Sequence, residues 1–221
     1  MSAQAPVPAA TPTALQFDSA AQQREAATFG LWIFIATELM FFGPLFFGYL
    51  YGRTHFLDAF GAASRHTDVT LGTINTAVLL SSSATMAAAV MARKLGNARL
   101  AMRLLFVTAA LGVLFVVLKG IEYRQEWLEH LFPGPHFLFE ARHANGAEIF
   151  FFLYFLLTGL HALHLLAGIT LTTFFAICLY RERSAFANEE KLEIVALYWH
   201  FVDVVWIFLY PMLYLIQRAG G

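Results

Sequence analysis

Long apolar runs separated by short polar segments form the main pattern of this chain. Five of these runs are long enough to cross a hydrocarbon core as helices, which takes about 20 residues each. They cover approximately residues 29–51, 71–91, 100–121, 147–180 and 197–216. The pattern therefore predicts an all-α fold, a polytopic membrane bundle with five transmembrane helices.

The fourth apolar run is unusually long, with no Asp, Glu, Lys or Arg from Ile149 to Tyr180. Two spans and a turn would need more than about 40 residues, whereas one helix rising about 1.5 Å per residue can tilt or project beyond the bilayer. One helix is the better prediction. We expect residues 1–28 to form a disordered N-terminal tail and a helix lead-in, and residues 29–221 to form the transmembrane domain.

Composition agrees with a membrane protein. The chain is 59% hydrophobic and 13% charged, and its mean hydropathy is +0.62. Its formal net charge of −1 means that the chain has no excess of positive charge to attract nucleic acid, so we expect no nucleic-acid partner. The single cysteine, Cys178, allows neither an intramolecular disulfide nor a multi-cysteine metal site.

Basic residues between the spans predict the topology, because they are enriched in loops on the cytoplasmic side. An N-terminus inside the cell and a C-terminus outside give the inner segments the larger share. The inner set would be Arg24, Arg93, Lys94, Arg99, Arg103, Arg181, Arg183 and Lys191. The outer set would be Arg53, Arg65, Arg124, Arg142 and Arg218.

Ionisable residues inside the spans need partners, because an unpaired charge at membrane depth is costly. Glu38 lies near the middle of the first span, where it could hydrogen-bond to a neighbouring helix or take part in a proton step. His161 and His164 share one face of the fourth span, where interhelical hydrogen bonding is a better interpretation than metal ligation.

A polar stripe runs along the last span. Glu193 and His200 are seven residues apart, and Asp203 follows three residues later, so the three lie on one helix face. His161 and His164 are plausible partners for this stripe. We therefore predict an intramembrane polar network of six residues: Glu38, His161, His164, Glu193, His200 and Asp203.

The end of the third span carries a second candidate pair. Lys119 and Glu122 have the spacing of an ion pair, and we expect this pair at the membrane interface, with the lysine side chain reaching outward. The following segment, to about Gly146, contains Glu126 and several histidines. A solvated outer loop is a better interpretation of this segment than a cation site.

Redox chemistry in this chain is not expected. A haem–copper centre needs more intramembrane imidazoles than the spans supply, and a thiolate copper pair needs two cysteines. We therefore predict no metal site and no catalytic residue in this chain.

Several motifs, taken in order, resemble subunit III of haem–copper respiratory oxidases over nearly the whole chain from Phe29 onward. The most specific is Tyr-Trp-His-Phe-Val-Asp-Val-Val-Trp at 198–206. The others are Glu-Leu-Met-Phe-Phe at 38–42, Asn-Thr-Ala-Val-Leu-Leu at 75–80, Gly-Ile-Glu-Tyr at 120–123 and Gly-Leu-His-Ala-Leu-His at 159–164.

This resemblance implies a cofactor-free accessory subunit of a bacterial terminal oxidase of the cytochrome c oxidase type. Such a subunit packs against catalytic subunit I in a complex that also contains subunit II, and haem and copper are held by those partners. It stabilises subunit I during turnover and supports proton uptake in aerobic electron transport. The expected location is the bacterial inner membrane.

Many members of this family have seven helices, and phospholipids occupy a cleft between the first two helices and the other five. This chain is expected to lack those two helices. The resemblance nevertheless suggests Glu38, Arg181 and His200 as lipid-binding residues. Three alternatives stay open: a nitric oxide reductase-associated subunit III-like protein, a quinol oxidase subunit III, and a stand-alone proton-coupled channel or transporter that uses Glu38 and Asp203.

Overall fold

The computed structural model describes residues 18–181 and 189–215, and within them it is helical with connecting turns and no strand. The helices are α1 (Ala20–His55), α2 (Leu57–His66), α3 (Val69–Lys94), α4 (Ala98–Leu128), α5 (Ala144–Tyr180) and α6 (Glu189–Tyr210). A π-helical turn, Pro211–Leu215, continues α6.

All helices except α2 are long and apolar enough to span a membrane, which confirms the predicted all-α bundle with five spans in the described part of the chain. The long fourth run forms one continuous helix of 37 residues, as predicted. The helix lead-in begins at Ala20, where Ser19 caps α1 by accepting a hydrogen bond from the Gln22 amide. Most of the predicted tail lies outside the described residues.

The short helix α2 is an element that the apolar pattern does not predict. Its ten residues are too few to span a membrane. Its sequence, Leu-Asp-Ala-Phe-Gly-Ala-Ala-Ser-Arg-His, is on average only weakly hydrophobic. Its small residues nevertheless allow close packing on α5. The backbone at Gly146 comes so near that an added Cβ would lie 2.5 Å from the Ala59 Cβ.

The helices α3 and α4 form an antiparallel hairpin joined by Leu95, Gly96 and Asn97. Gly96 adopts a φ of 76°, a left-handed conformation that glycine accepts without steric cost. The Asn97 side chain then caps α4 by accepting a hydrogen bond from the Leu100 amide at 3.1 Å. We call this end of the bundle the Gly96 end, and the opposite end, which contains the loop after α4, the Pro133 end.

Two tryptophans of α6 form the centre of the bundle. Trp199 and Trp206 are each 1% exposed, and their indole nitrogens donate to Ser82 Oγ at 3.2 Å and Thr76 Oγ1 at 3.0 Å. A Cβ at Gly112 of α4 would lie 2.9 Å from the Trp199 ring, so a glycine makes room for it. Helices α3, α4 and α6 are thus packed through specific side chains.

Helix α1 lies at the edge of the bundle. Leu31, Phe42 and Tyr49 are buried against the other helices, and the Tyr49 hydroxyl donates to the Met212 carbonyl. Most of its other large apolar side chains face outward, and Met40 and Phe47 are 79% and 70% exposed. This apolar face suits contact with lipid or with another membrane subunit.

Candidate functional site

A buried cluster of four side chains lies at the Pro133 end, between α4, α5 and the π-helical turn. The Lys119 ammonium donates to Glu122 Oε2 at 3.0 Å, to Tyr154 Oη at 2.6 Å and to Tyr214 Oη at 2.5 Å. All three donors of the ammonium are therefore used. The two tyrosine hydroxyls in turn donate to Glu122 Oε1, at 2.9 Å and 2.7 Å.

This cluster differs from the expected interface pair in its location. Lys119 and Glu122 do contact each other, but both are buried, at 3% and 1% exposure. The reason is that α4 continues to Leu128, seven residues past the predicted span end. Lys119 therefore lies about 14 Å before the end of the helix, at 1.5 Å per residue, and points into the bundle instead of outward.

Glu126 follows the cluster one turn later on the same face of α4. It was expected in a solvated loop, but it is helical and 4% exposed. Its carboxyl faces the same cluster, where it interacts with the Lys119 ammonium and the Tyr154 hydroxyl. A second carboxyl thus lies near the Lys119 ammonium at low exposure.

Glu38 of α1 and His164 of α5 approach each other where the two helices meet. Glu38 Oε2 is 2.9 Å from His164 Nε2, a distance that allows an ion pair, although the two groups are not aligned for a hydrogen bond. His164 Nδ1 lies 2.8 Å from the Leu160 carbonyl oxygen. Because a carbonyl only accepts, Nδ1 carries a proton and donates it there.

The chemistry of this pair follows from that assignment. With Nδ1 donating to the carbonyl, Nε2 is the ring nitrogen that faces the Glu38 carboxyl. Both side chains are partly accessible, at 15% for Glu38 and 19% for His164. The pair therefore places an acidic and a basic side chain in contact between two helices.

His161 lies one turn from His164 on α5 but has different surroundings. It is 1% exposed, between the Phe115 ring at 5.6 Å and the Trp206 ring at 5.1 Å. Neither ring nitrogen has a hydrogen-bond partner in the part of the chain that the structure describes. His161 is therefore part of the aromatic core.

His200 of α6 contacts α3 and its own helix. Its Nδ1 lies 2.7 Å from Ser83 Oγ and 3.9 Å from Asp203 Oδ2. Asp203 is 3% exposed, whereas His200 is about a third exposed. The arrangement joins α3 to α6 through Ser83. The buried Asp203 carboxyl lies near the same imidazole nitrogen.

Glu193 is at the Gly96 end, where its Oε1 is 2.7 Å from the Lys94 ammonium of α3. Both side chains are about half exposed. The six residues predicted as one network instead make four different sets of contacts: the Glu38–His164 pair, the His161 ring contacts, the His200–Asp203 group and the Glu193–Lys94 pair.

The residues suggested for lipid binding are also separated. Arg181 is exposed at the C-terminal cap of α5, 17 residues after His164. At about 1.5 Å per residue, this places it roughly 25 Å along the helix from the Glu38–His164 pair. The structure does not bring Glu38, Arg181 and His200 together.

Several partners could not be found from the sequence pattern. Tyr154, Tyr214 and Ser83 are uncharged residues inside apolar runs, where tyrosine and serine are ordinary. One signal was available for the tyrosines, because a lysine and a glutamate deep in a span require polar partners at the same depth.

No group of three or more His, Cys, Asp or Glu side chains able to hold a metal ion occurs in residues 18–181 and 189–215. Two ion pairs instead join different helices, Glu38–His164 between α1 and α5 and Lys94–Glu193 between α3 and α6. Fold and site together define a class: a multi-pass helical membrane protein whose helices are joined by polar and ionisable side chains.

Comparison with known proteins specifies that class. A family model described as Cytochrome c oxidase subunit III matches residues 11–217. The chain is 30% identical over 195 residues to cytochrome c oxidase subunit 3 of Dugong dugon and 32% identical over 195 residues to that of Gadus morhua. Each alignment covers 84% of this chain and 68% of the relative. The chain belongs to the cytochrome c oxidase subunit III family, and it is a subunit III of a haem–copper oxidase.

Proposed function

We propose that this chain is the accessory subunit III of a bacterial cytochrome c oxidase. In this role it binds no haem or copper, stabilises catalytic subunit I during turnover and supports proton uptake in aerobic electron transport. Subunits I and II hold the redox centres. The phospholipid expected from the family resemblance is part of the same proposal.

The observation that carries the proposal is that α1 has two different faces. One side of this helix pairs Glu38 with His164 and packs against the bundle, while Met40 and Phe47 remain exposed. A polar pair held between two helices, next to an open apolar face, supports a subunit that docks in the membrane and keeps an acid–base pair near the contact.

The charge distribution supports an orientation in the bacterial inner membrane with the N-terminus in the cytoplasm. The Gly96 end carries Arg93, Lys94, Arg99 and Arg103 within one hairpin. Because basic residues are enriched on the cytoplasmic side, this end faces the cytoplasm in our proposal. The Pro133 end and the C-terminus then face outward.

The test is purification of the oxidase from cells that lack this chain, compared with the same strain carrying the wild-type gene. We expect an unchanged haem spectrum and unchanged initial activity, followed by faster loss of activity during turnover. Loss of haem, or identical inactivation kinetics, would contradict the proposal. Recovery of the chain with nitric oxide reductase or quinol oxidase subunits would favour those alternatives instead.

A further inference from the structure

A cavity at the Gly96 end combines basic and apolar lining, and none of the three residues suggested above for lipid binding lines it. It has a volume of about 660 Å³ and lies between the α3–α4 turn and the end of α5. Arg99 and Arg103 line it together with Met102, Leu179 and Tyr180. We infer that this cavity binds the headgroup and upper acyl chains of an anionic phospholipid.

The two arginines supply the charge. They are four residues apart on α4, so their side chains lie on the same face of the helix. Both are exposed, and among the residues that the structure describes neither forms an ion pair with a carboxylate. Two guanidinium groups on one face can bind a phosphate through paired N–H donors.

The local backbone adds to this preference. The cavity is lined by the first turn of α4, which contains no acidic residue. A helix N-terminus favours an anion, because its first N–H groups and the helix dipole both present positive charge. The Asn97 cap occupies the Leu100 amide, so the arginine side chains and the dipole are the main attraction.

The apolar lining distinguishes a lipid from a soluble anion. Met102 and Leu179 line the same cavity as the guanidinium groups, and the Tyr180 ring lies at its edge. Such a mixture fits the boundary between headgroups and acyl chains, where aromatic and basic residues are enriched. Tyr180 lies 16 residues after His164 on α5, roughly 25 Å along the helix from the Glu38–His164 pair, and the site does not depend on the oxidase role.

A photoactivatable phosphatidylglycerol tests the inference on the full-length wild-type chain in detergent with mixed lipid. Crosslinks should map to the peptides that contain Leu95–Arg103 and Leu179–Tyr180. Excess unlabelled phosphatidylglycerol should compete, whereas phosphatidylcholine and inorganic phosphate should not. Labelling elsewhere only, or equal competition by phosphatidylcholine, would overturn the inference. Competition by inorganic phosphate at equal concentration would also overturn it, because the site would then bind a soluble anion.

A matched pair of variants provides the second arm. Arg99→Gln/Arg103→Gln should reduce labelling about tenfold, since juxtamembrane arginines attract anionic lipids strongly. Arg124→Gln/Arg142→Gln removes the same charge from exposed positions at the Pro133 end and should leave labelling unchanged. Circular dichroism shows whether both variants fold. Equal labelling of the two folded variants would contradict the proposal, and the wild-type crosslink map decides if the first variant does not fold.

Discussion

The Lys119 ammonium lies 3.0 Å from Glu122 Oε2 although both side chains are almost completely buried. The Tyr154 and Tyr214 hydroxyls connect the two, since each accepts from the ammonium and donates to the carboxylate. Three different parts of the chain, α4, α5 and the π-helical turn, therefore meet at one pair of opposite charges. The cluster is a cross-link between helices built from polar groups.

Removing one charge of this cluster should destabilise the bundle strongly. Lys119→Met leaves Glu122 buried without its cation, and loss of one partner of a buried pair costs about 3–5 kcal/mol. The double variant Lys119→Met/Glu122→Gln should recover part of this loss, because no uncompensated charge is left. Unfolding of the purified chain in mixed micelles measures both effects. A single variant as stable as the wild type would show that the pair carries no stability.

The Lys94–Glu193 ion pair at the Gly96 end should contribute much less to stability than the buried cluster. Lys94 and Glu193 are 2.7 Å apart, but both are about half exposed, where ion pairs contribute little. Lys94→Met should therefore shift the midpoint of unfolding far less than Lys119→Met. The shift should also disappear in high salt, because exposed charges are screened. A large shift that persists in salt would show that this pair is a structural anchor of α6.

The contact between Glu38 and His164 predicts coupling between α1 and α5. Glu38→Leu removes the carboxyl near His164 Nε2, so the imidazole loses its side-chain partner where α1 and α5 meet. The double variant Glu38→Leu/His164→Leu removes both groups. In a double-mutant cycle we expect a coupling free energy of about 1 kcal/mol, the size of polar contacts between membrane helices.

The control for this cycle uses a histidine on the same helix. His161 contacts aromatic rings and lies apart from Glu38, so Glu38→Leu combined with His161→Leu should be additive. Unfolding free energies in mixed micelles give both cycles. Additivity of the Glu38 and His164 substitutions, within about 0.3 kcal/mol, would show that the 2.9 Å contact contributes nothing.

The sequence allows prediction of the spans because hydropathy alone decides which segments can cross a bilayer. It also predicts that Glu38 and His164 need partners. It does not predict which groups pair, because partner choice depends on helix rotation and depth. Glu193 illustrates this: it lies on the same face as His200, yet it pairs with Lys94 of α3. Similarly, α4 extends past its apolar run, and this extension buries Lys119.

The close contact between α2 and α5 leads to a last prediction, for a glycine. A Cβ at Gly146 would lie 2.5 Å from the Ala59 Cβ and 3.0 Å from the Phe56 Cβ, so Gly146→Ala must push α2 away. Overpacking of this kind costs about 1–3 kcal/mol. Gly30→Ala is the matched control, because it is exposed in α1, no neighbouring side chain lies within 4 Å of its added Cβ, and alanine favours a helix. We expect a lower unfolding midpoint for Gly146→Ala only. If both variants unfold like the wild type, α2 does not pack tightly on α5 in the membrane.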